Sequence, residues 1–297
     1  DLWGSRRQYG ALILLLTLGI AIFGGSYAGY LNLGKSEEKT YEELLFADAT
    51  FRVSAAPATV AQEIVGTPGV AAVEGRIVRD VGLVHPGNPT ELLAARVVSV
   101  PDGRRPTVND LAVQEGTYLP SDAGSVALID NQFAQKHRLF TGDPLTLVVG
   151  DQRLVLTIHG TVTSPEYIWK AKSLQEPFSA PGTFAVIFVS QALAEKLFHQ
   201  PGAVNEFVAR FQQGADADLV LKRVQQALAT YTLLEAAPRD KQASYALLKL
   251  DLEGFGEIAV IVPAMFLIIT TLSVLVLMTR TVHAQRSQVG LLRALGY

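Results

Sequence analysis

Two long apolar runs frame this chain, and between them hydrophobic positions recur on the shorter periods of strands and amphipathic helices. The second run, residues 258–278, carries no charged side chain, and at about 1.5 Å per residue a helix of that length crosses a hydrocarbon core of roughly 30 Å. The first, residues 9–33, follows the charged start Asp1-Leu-Trp-Gly-Ser-Arg6-Arg7-Gln8. Signal peptides begin in a similar way, but this run is too long for one and no small-x-small cleavage pattern follows it, so it reads as a membrane helix. Ala21, Gly25 and Gly29 repeat within it at four-residue spacing, leaving a face without bulky side chains for helix packing. In the second run Pro263 predicts a kink, while Thr270, Thr271 and Ser273 can bond carbonyls of their own helix.

The middle reads as an α+β domain. Residues 34–47 are rich in helix formers, with Tyr41, Leu44 and Leu45 at helical spacing, and extend the first helix as a stalk. Residues 48–56 read as a strand and 59–65 as a helix ended by Gly66 and Pro68. Residues 69–83 lead into a strand, and 91–100 are its hairpin partner. Strand, helix, strand, strand is the first half of a ferredoxin-like unit. The second half is expected as a strand at 204–211, a helix at 216–230 opened by Asp216, and a short strand at 231–234. Between the halves, residues 101–202 predict a β-rich insertion, with strands at 125–130, 139–149, 153–162 and 184–189 and a helix at 131–137. Residues 240–252 place Ala243, Ala246, Leu247 and Leu250 on one helical face and form the returning stalk.

Charge sets the topology. Arg6, Arg7, Arg280, Arg286 and Arg293 stand against Asp1 alone in the two flanks, whereas the whole chain sums to −3. By the positive-inside rule both flanks are cytoplasmic and the middle lies outside. The expected layout is a cytoplasmic flank and first span at 1–33, a stalk at 34–47, and the first ferredoxin-like half at 48–100. The insertion follows at 101–202, the second half at 203–239, a stalk and second span at 240–279, and a cytoplasmic segment at 280–297.

Composition adds that 49% of the 297 residues are hydrophobic and that cysteine is absent, so neither disulfides nor thiolate metal sites are available. His85, His137, His159, His199 and His283 are scattered without a ligand partner at metal-binding spacing. There is no nucleophile elbow and no His-Glu-x-x-His, so no catalytic, cofactor or metal residue is expected and the chain is not read as an enzyme. Basic residues are not interleaved with aromatics, which leaves nucleic-acid binding unsupported. Residues 29–36, Gly29-Tyr-Leu-Asn-Leu-Gly34-Lys35-Ser36, fit a P-loop pattern, but they follow a membrane helix and hold bulky side chains between the glycines, so they are not expected to cradle phosphate.

The last residues carry the most specific signal. Val289-Gly290-Leu291-Leu292-Arg293-Ala294-Leu295-Gly296 resembles the segment after the second membrane helix in permeases of the MacB, LolC/LolE and FtsX type of ABC transporter. It departs at Gln288, where Glu is usual, which removes the charge for any ion pair that Glu makes with the ATPase. Thr141-Gly-Asp-Pro-Leu-Thr-Leu147 and Gly160-Thr-Val-Thr-Ser164-Pro-Glu-Tyr-Ile168 are likewise similar to parts of large MacB-type permeases.

The resemblance implies a bacterial inner-membrane, multi-pass permease with a ferredoxin-like periplasmic porter domain and a β-rich insert, of which this chain, starting without Met, is an N-terminal fragment. It implies that Val289 to Gly296 form a coupling helix docking on an ABC ATPase that binds ATP and Mg. It also implies a second permease copy or homologue, the lipid bilayer, and a periplasmic adaptor or hydrolase as partners, in export or extraction of a substrate. Two other classes share the layout: an FtsX-like regulator of cell-wall hydrolases, and a two-helix membrane sensor.

Overall fold

The computed structural model describes residues 6–171, 180, 182–294 and 296. The chain separates into two units: Asp1–Glu37 with Leu250–Tyr297, and Glu38–Lys249.

The second unit holds two sheets. The smaller is built from β1 (Ala49–Pro57), β2 (Val70–Arg76), β10 (Ala203–Phe211) and β11 (Leu233–Pro238), antiparallel throughout in the order β11-β1-β10-β2. Helices α2 (Val60–Val65) and α5 (Ala217–Leu228) cross between its strands. Val60, Ile64, Val220, Val224 and Leu228 share one buried cluster with Phe51, Val53 and Phe207. The period of two in a strand sends Phe51 and Val53 to that covered face and Thr50 and Arg52 to the other. Asp216 opens α5 by accepting a bond from the Leu219 N–H at 3.1 Å, the helix cap that its sequence position predicts.

The larger sheet contains β3 (Val78–His85), β4 (Asn88–Val100), β5 (Ala112–Gly116), β6 (Val126–Asp130), β7 (Pro144–Val149), β8 (Gln152–Thr163) and β9 (Phe184–Ser190), in the order β5-β8-β6-β9-β4-β3-β7. β7 pairs back onto β8, so six of these strands close into a barrel with β5 appended. Leu83, Ala95, Val97, Ile129, Leu147, Leu156 and Ile187 fill its interior at alternate positions. Two short helices, α3 (Asn131–His137) and α4 (Gln191–Phe198), follow β6 and β9 and are capped by Asp130 and Ser190. A second cluster, with Leu111, Leu119, Val162, Tyr167 and Phe188, buries the outer side of part of the barrel beneath the loops.

The expected division at residue 101 is corrected. The hairpin β3–β4 lies in the barrel and not in the small sheet, so the chain changes sheet at Ile77. No turn residue marks the change, because it is made by a buried clasp. The Ile77 N–H donates to Ser99 Oγ at 2.7 Å, and Asn205 bonds both the N–H and the carbonyl of Val78, at 2.8 and 3.0 Å. β5 and α4 had no counterpart in the sequence reading, and the last strand lies at Leu233–Pro238 rather than at 231–234.

The other unit takes in parts of two helices, α1 (Arg6–Glu43) and α6 (Ala243–Ala294). Among the described residues, the segment Ala243–Arg280 is long and apolar enough to cross a membrane, with a mean hydropathy of 2.7. The two helices approach closely at Gly256, where a Cβ would stand 2.8 Å from the Tyr30 ring. Gly25 and Gly29 face open space, with nothing within 4 Å of a built Cβ, and Ala21 is exposed, so among the described residues nothing covers the small face expected to pack a helix. Thr270, Thr271 and Ser273 each donate to the carbonyl four residues back at 2.8 Å. Pro263 lies inside α6.

Candidate functional site

The face of the small sheet away from α2 and α5 carries a row of charges that follows directly from strand register. Glu235 on β11 lies opposite Arg52 on β1, Arg52 opposite Glu206 on β10, and Glu206 opposite Arg76 on β2. Directly opposed cross-strand side chains interact, and here the signs alternate. Arg52 Nη1 lies 3.1 Å from Glu235, Arg52 Nε 3.7 Å from Glu206, and Arg76 Nε donates to Glu206 at 2.9 Å.

The row ends on Glu166, which comes from the barrel side in a short turn, Pro165–Tyr167, after β8. Arg76 Nη1 donates to Glu166 Oε2 at 2.6 Å, and Nη2 bonds the other carboxylate oxygen. Arg76, Glu166 and Glu206 are nearly buried, at 8%, 10% and 5% side-chain exposure. Burial opposes the charge on Arg76, but the two carboxylates outweigh it and hold the guanidinium well above its ordinary value.

A cleft of about 380 Å³ opens beside this row, lined by Arg52, Asp80, Arg96, Tyr167, Lys241 and Ser244 among others. Arg96 is paired with Asp80 at 2.7 Å, and its guanidinium lies over the Phe184 ring. The Tyr167 hydroxyl is pushed up to about 12, by burial first, with Arg96 opposing and Glu166 adding. Tyr167 is therefore a neutral hydrogen-bonding group at working pH and not an acid. Arg52, Arg76 and Arg96 around this cleft are each paired with a carboxylate.

The same unit holds the inner ends of both long helices. α1 ends at Glu43, and Leu45 takes a left-handed φ of 55° that turns the chain towards β1. Tyr41, Phe46 and Tyr245, the last from the first turn of α6, form a ring cluster with centroids 4.6 to 5.9 Å apart. Asn109 locks the turn. Its Oδ1 accepts the Ala47 N–H at 2.7 Å, and its own N–H reaches the Leu45 carbonyl at 2.8 Å. Arg239 pairs with Asp48, donates to the Phe46 carbonyl at 2.9 Å and lies over the Phe46 ring.

The predicted coupling residues are placed as follows. Val289, Gly290, Leu291, Leu292, Arg293 and Ala294 continue α6, and a left-handed glycine follows at Gly296, φ 86°. Gly290 and Ala294 are exposed, whereas Leu295 lies outside the described residues, as do the side chains of Val289, Leu291, Leu292 and Arg293. The P-loop-like residues 29–36 sit inside α1 as helix. His85 and His137, far apart in sequence, meet edge to face at 4.9 Å, yet no group of three metal-ligating side chains occurs among the described residues.

Residues 13–227 match the family of MacB-like periplasmic core domains. This chain belongs to that family, and it is a MacB/FtsX-like ABC transporter permease. The MacB-like chain is also similar to three solved structures. One is the extracellular domain of the noncanonic ABC-type transporter YknZ from Gram-positive bacteria, at 12% identity and a TM-score of 0.42, covering 64% of this chain and 100% of that one. Another is the periplasmic region of MacB from Actinobacillus actinomycetemcomitans, at 8% identity and a TM-score of 0.42, covering 73% and 98%. The third is a permease domain from Porphyromonas gingivalis, at 13% identity and a TM-score of 0.37, covering 65% and 92%. No curated protein matches the chain. In the MacB-like domain, what sequence reasoning missed is the charge row. Its members are spread from residue 52 to residue 235, and only pairing register brings them together.

Proposed function

We propose that this chain is the mechanical half of an ABC transporter, a permease subunit that carries movement of a cytoplasmic ATPase across the membrane to a periplasmic domain, for export or extraction of a substrate. The observation that carries the reading is that α6 is one helix, from Ala243 in the bonded base of the outer domain, through the apolar segment, to Ala294 in the coupling motif. In this reading displacement at the coupling motif passes along α6 towards the outer domain, with Pro263 the position at which the helix can bend.

In this reading residues 9–33 of α1 and 258–278 of α6 are the two spans of a bacterial inner-membrane protein, and both flanks are cytoplasmic. The sheet order β11-β1-β10-β2, with α2 and α5 on one face, serves as a ferredoxin-like porter, and the barrel is its insert. The chain performs no hydrolysis itself. ATP and Mg belong to the partner ATPase, which residues 289–296 contact, and a second permease copy completes the transporter. The exposed face at Ala21, Gly25 and Gly29 is available for that copy or for further helices of the subunit.

The test is cysteine crosslinking in the full-length permease. The 297 residues contain no cysteine, so Leu292→Cys paired with a cysteine scan of the co-encoded ATPase gives no background from this chain. A crosslink that changes with ATP is the expected result. Absence of any crosslink in a folded, co-expressed pair would overturn the coupling assignment.

A further inference from the structure

Residues 164–171 leave β8 and touch three bodies within a few positions. Ser164 starts the turn by accepting the Glu166 N–H at 3.3 Å. Glu166 then grips Arg76 of the small sheet through both carboxylate oxygens. Tyr167 inserts between the loops and Phe188 of the barrel, ring centroids 6.5 Å apart. The Trp169 N–H donates to Ser244 Oγ, in the first turn of α6, at 2.9 Å. Lys170 bonds Asp130 of the barrel at 2.5 Å, the same carboxylate that caps α3 through the Phe133 N–H. Burial lowers Lys170 and Asp130 only partly offsets it; the ammonium also bonds the Tyr167 carbonyl.

Besides this segment the barrel joins the small sheet through two chain crossings, at Ile77 and at residues 191–203, through the Asn205 clasp, and through the loop after β4, where Arg104 and Thr107 bond Glu74 of β2 and Asn109 bonds Ala47. A closed barrel moves as a body, so each attachment narrows the rotation left to it. The attachment through Glu166 and Ser244 adds the start of α6 and narrows that freedom further. We propose that residues 164–171 are a strap that fixes the barrel to the small sheet and to the start of α6, with Glu166 and Ser244 as its positioning residues, so that α6 and the barrel move together. The strap gives a path for the movement assigned to α6 above and to that extent rests on the permease reading. Its existence is nevertheless measurable without nucleotide or ATPase, so either idea can fail alone.

The experiment uses spin-label distances in the full-length permease. One pair links exposed Lys249→Cys on α6 to exposed Arg153→Cys at the tip of the barrel hairpin β7–β8. The control pair links Lys249→Cys to exposed Lys222→Cys on α5, which packs on the small sheet. Glu166→Ala cuts the sheet end of the strap and leaves Arg76 paired with Glu206. Ser244→Ala cuts the α6 end and shares no atom with the first change. The expected result is that each substitution broadens the barrel-to-α6 distribution at least twofold while the control pair stays as narrow as in the parent. An unchanged barrel distance in both variants overturns the strap, and so does equal broadening of both pairs, which would mark general loosening.

Discussion

Arg239 Nη2 stands 2.8 Å from Asp48 Oδ1, joining the residue that follows β11 to the one that precedes β1. The same guanidinium holds the Phe46 and Ala47 carbonyls at the exit of α1, at 2.9 and 3.4 Å. Arg239→Ala is therefore expected to take a donor from the Phe46 carbonyl and the charge partner from Asp48, while Gln242 still bonds the Ala47 carbonyl. Because the side chain is 36% exposed, solvent recovers part of the loss, which should be about 1 to 2 kcal/mol in denaturant unfolding of the detergent-solubilised protein. Arg239→Lys, a single point charge in place of a fork, should recover the smaller part of it.

Glu74 predicts an acid-sensitive contribution. Burial raises its carboxyl, but the Arg104 guanidinium and the N–H and hydroxyl of Thr107 outweigh that and hold it below the usual range. A group whose folded value is depressed stabilises fully above its unfolded value and loses that contribution as pH falls through the folded one. The stability gap between the parent and Glu74→Gln should be widest near neutrality and close below about pH 4, as read from urea midpoints across a pH series.

Gly116 and Gly160 sit face to face where β5 meets β8, and neither has room for a side chain. A Cβ on Gly116, at φ 78°, would fall 2.4 Å from the His159 carbonyl oxygen; one on Gly160 would fall 2.7 Å from that of Glu115. Backbone oxygens cannot yield as a flexible side chain does. Gly116→Ala and Gly160→Ala should each cost at least about 2 kcal/mol, against about 1 for Gly142→Ala, where the φ of 97° is strained but nothing lies within 4 Å. Thermal midpoints of the three variants check the order.

For the long helices, Gly256→Leu should lower the melting temperature in detergent, since the added side chain begins 2.8 Å from the Tyr30 ring. Gly25→Leu, facing open space within this chain, should leave the melting temperature unchanged while revealing by altered oligomer size whether that face packs on another helix.

The sequence located β1, α2, β6, α3, β8, β9, β10 and α5 within a few residues: the three helices start at a side-chain cap or end at glycine, and β6 and β9 are buried along nearly their whole length and read as short apolar runs. The sheet change at Ile77 was not legible. The hydrophobic alternation runs straight through it, and the clasp is made by Ser99 and Asn205, whose partners are set only by the fold. β5 is short and mostly exposed, so it has no apolar repeat to read. Glu166 was legible only as part of a family-like stretch. Its partner Arg76 lies 90 positions away, and nothing local to either residue announces the pair.

The closed barrel and the open four-stranded sheet impose different timetables on a chain that emerges from its N-terminus. Every barrel strand lies between Val78 and Ser190, so the ring can shut as soon as that stretch is available. β1 and β2 are made earlier, yet they do not touch each other. Their common neighbour is β10, and the other edge of β1 waits for β11. Both strands must stay unpaired until residues 203–238 arrive, with the finished barrel tethered between them. Insertion of β10 between β1 and β2 is then the step that brings distant parts of the chain together, and long-range closures of this kind are the slow ones.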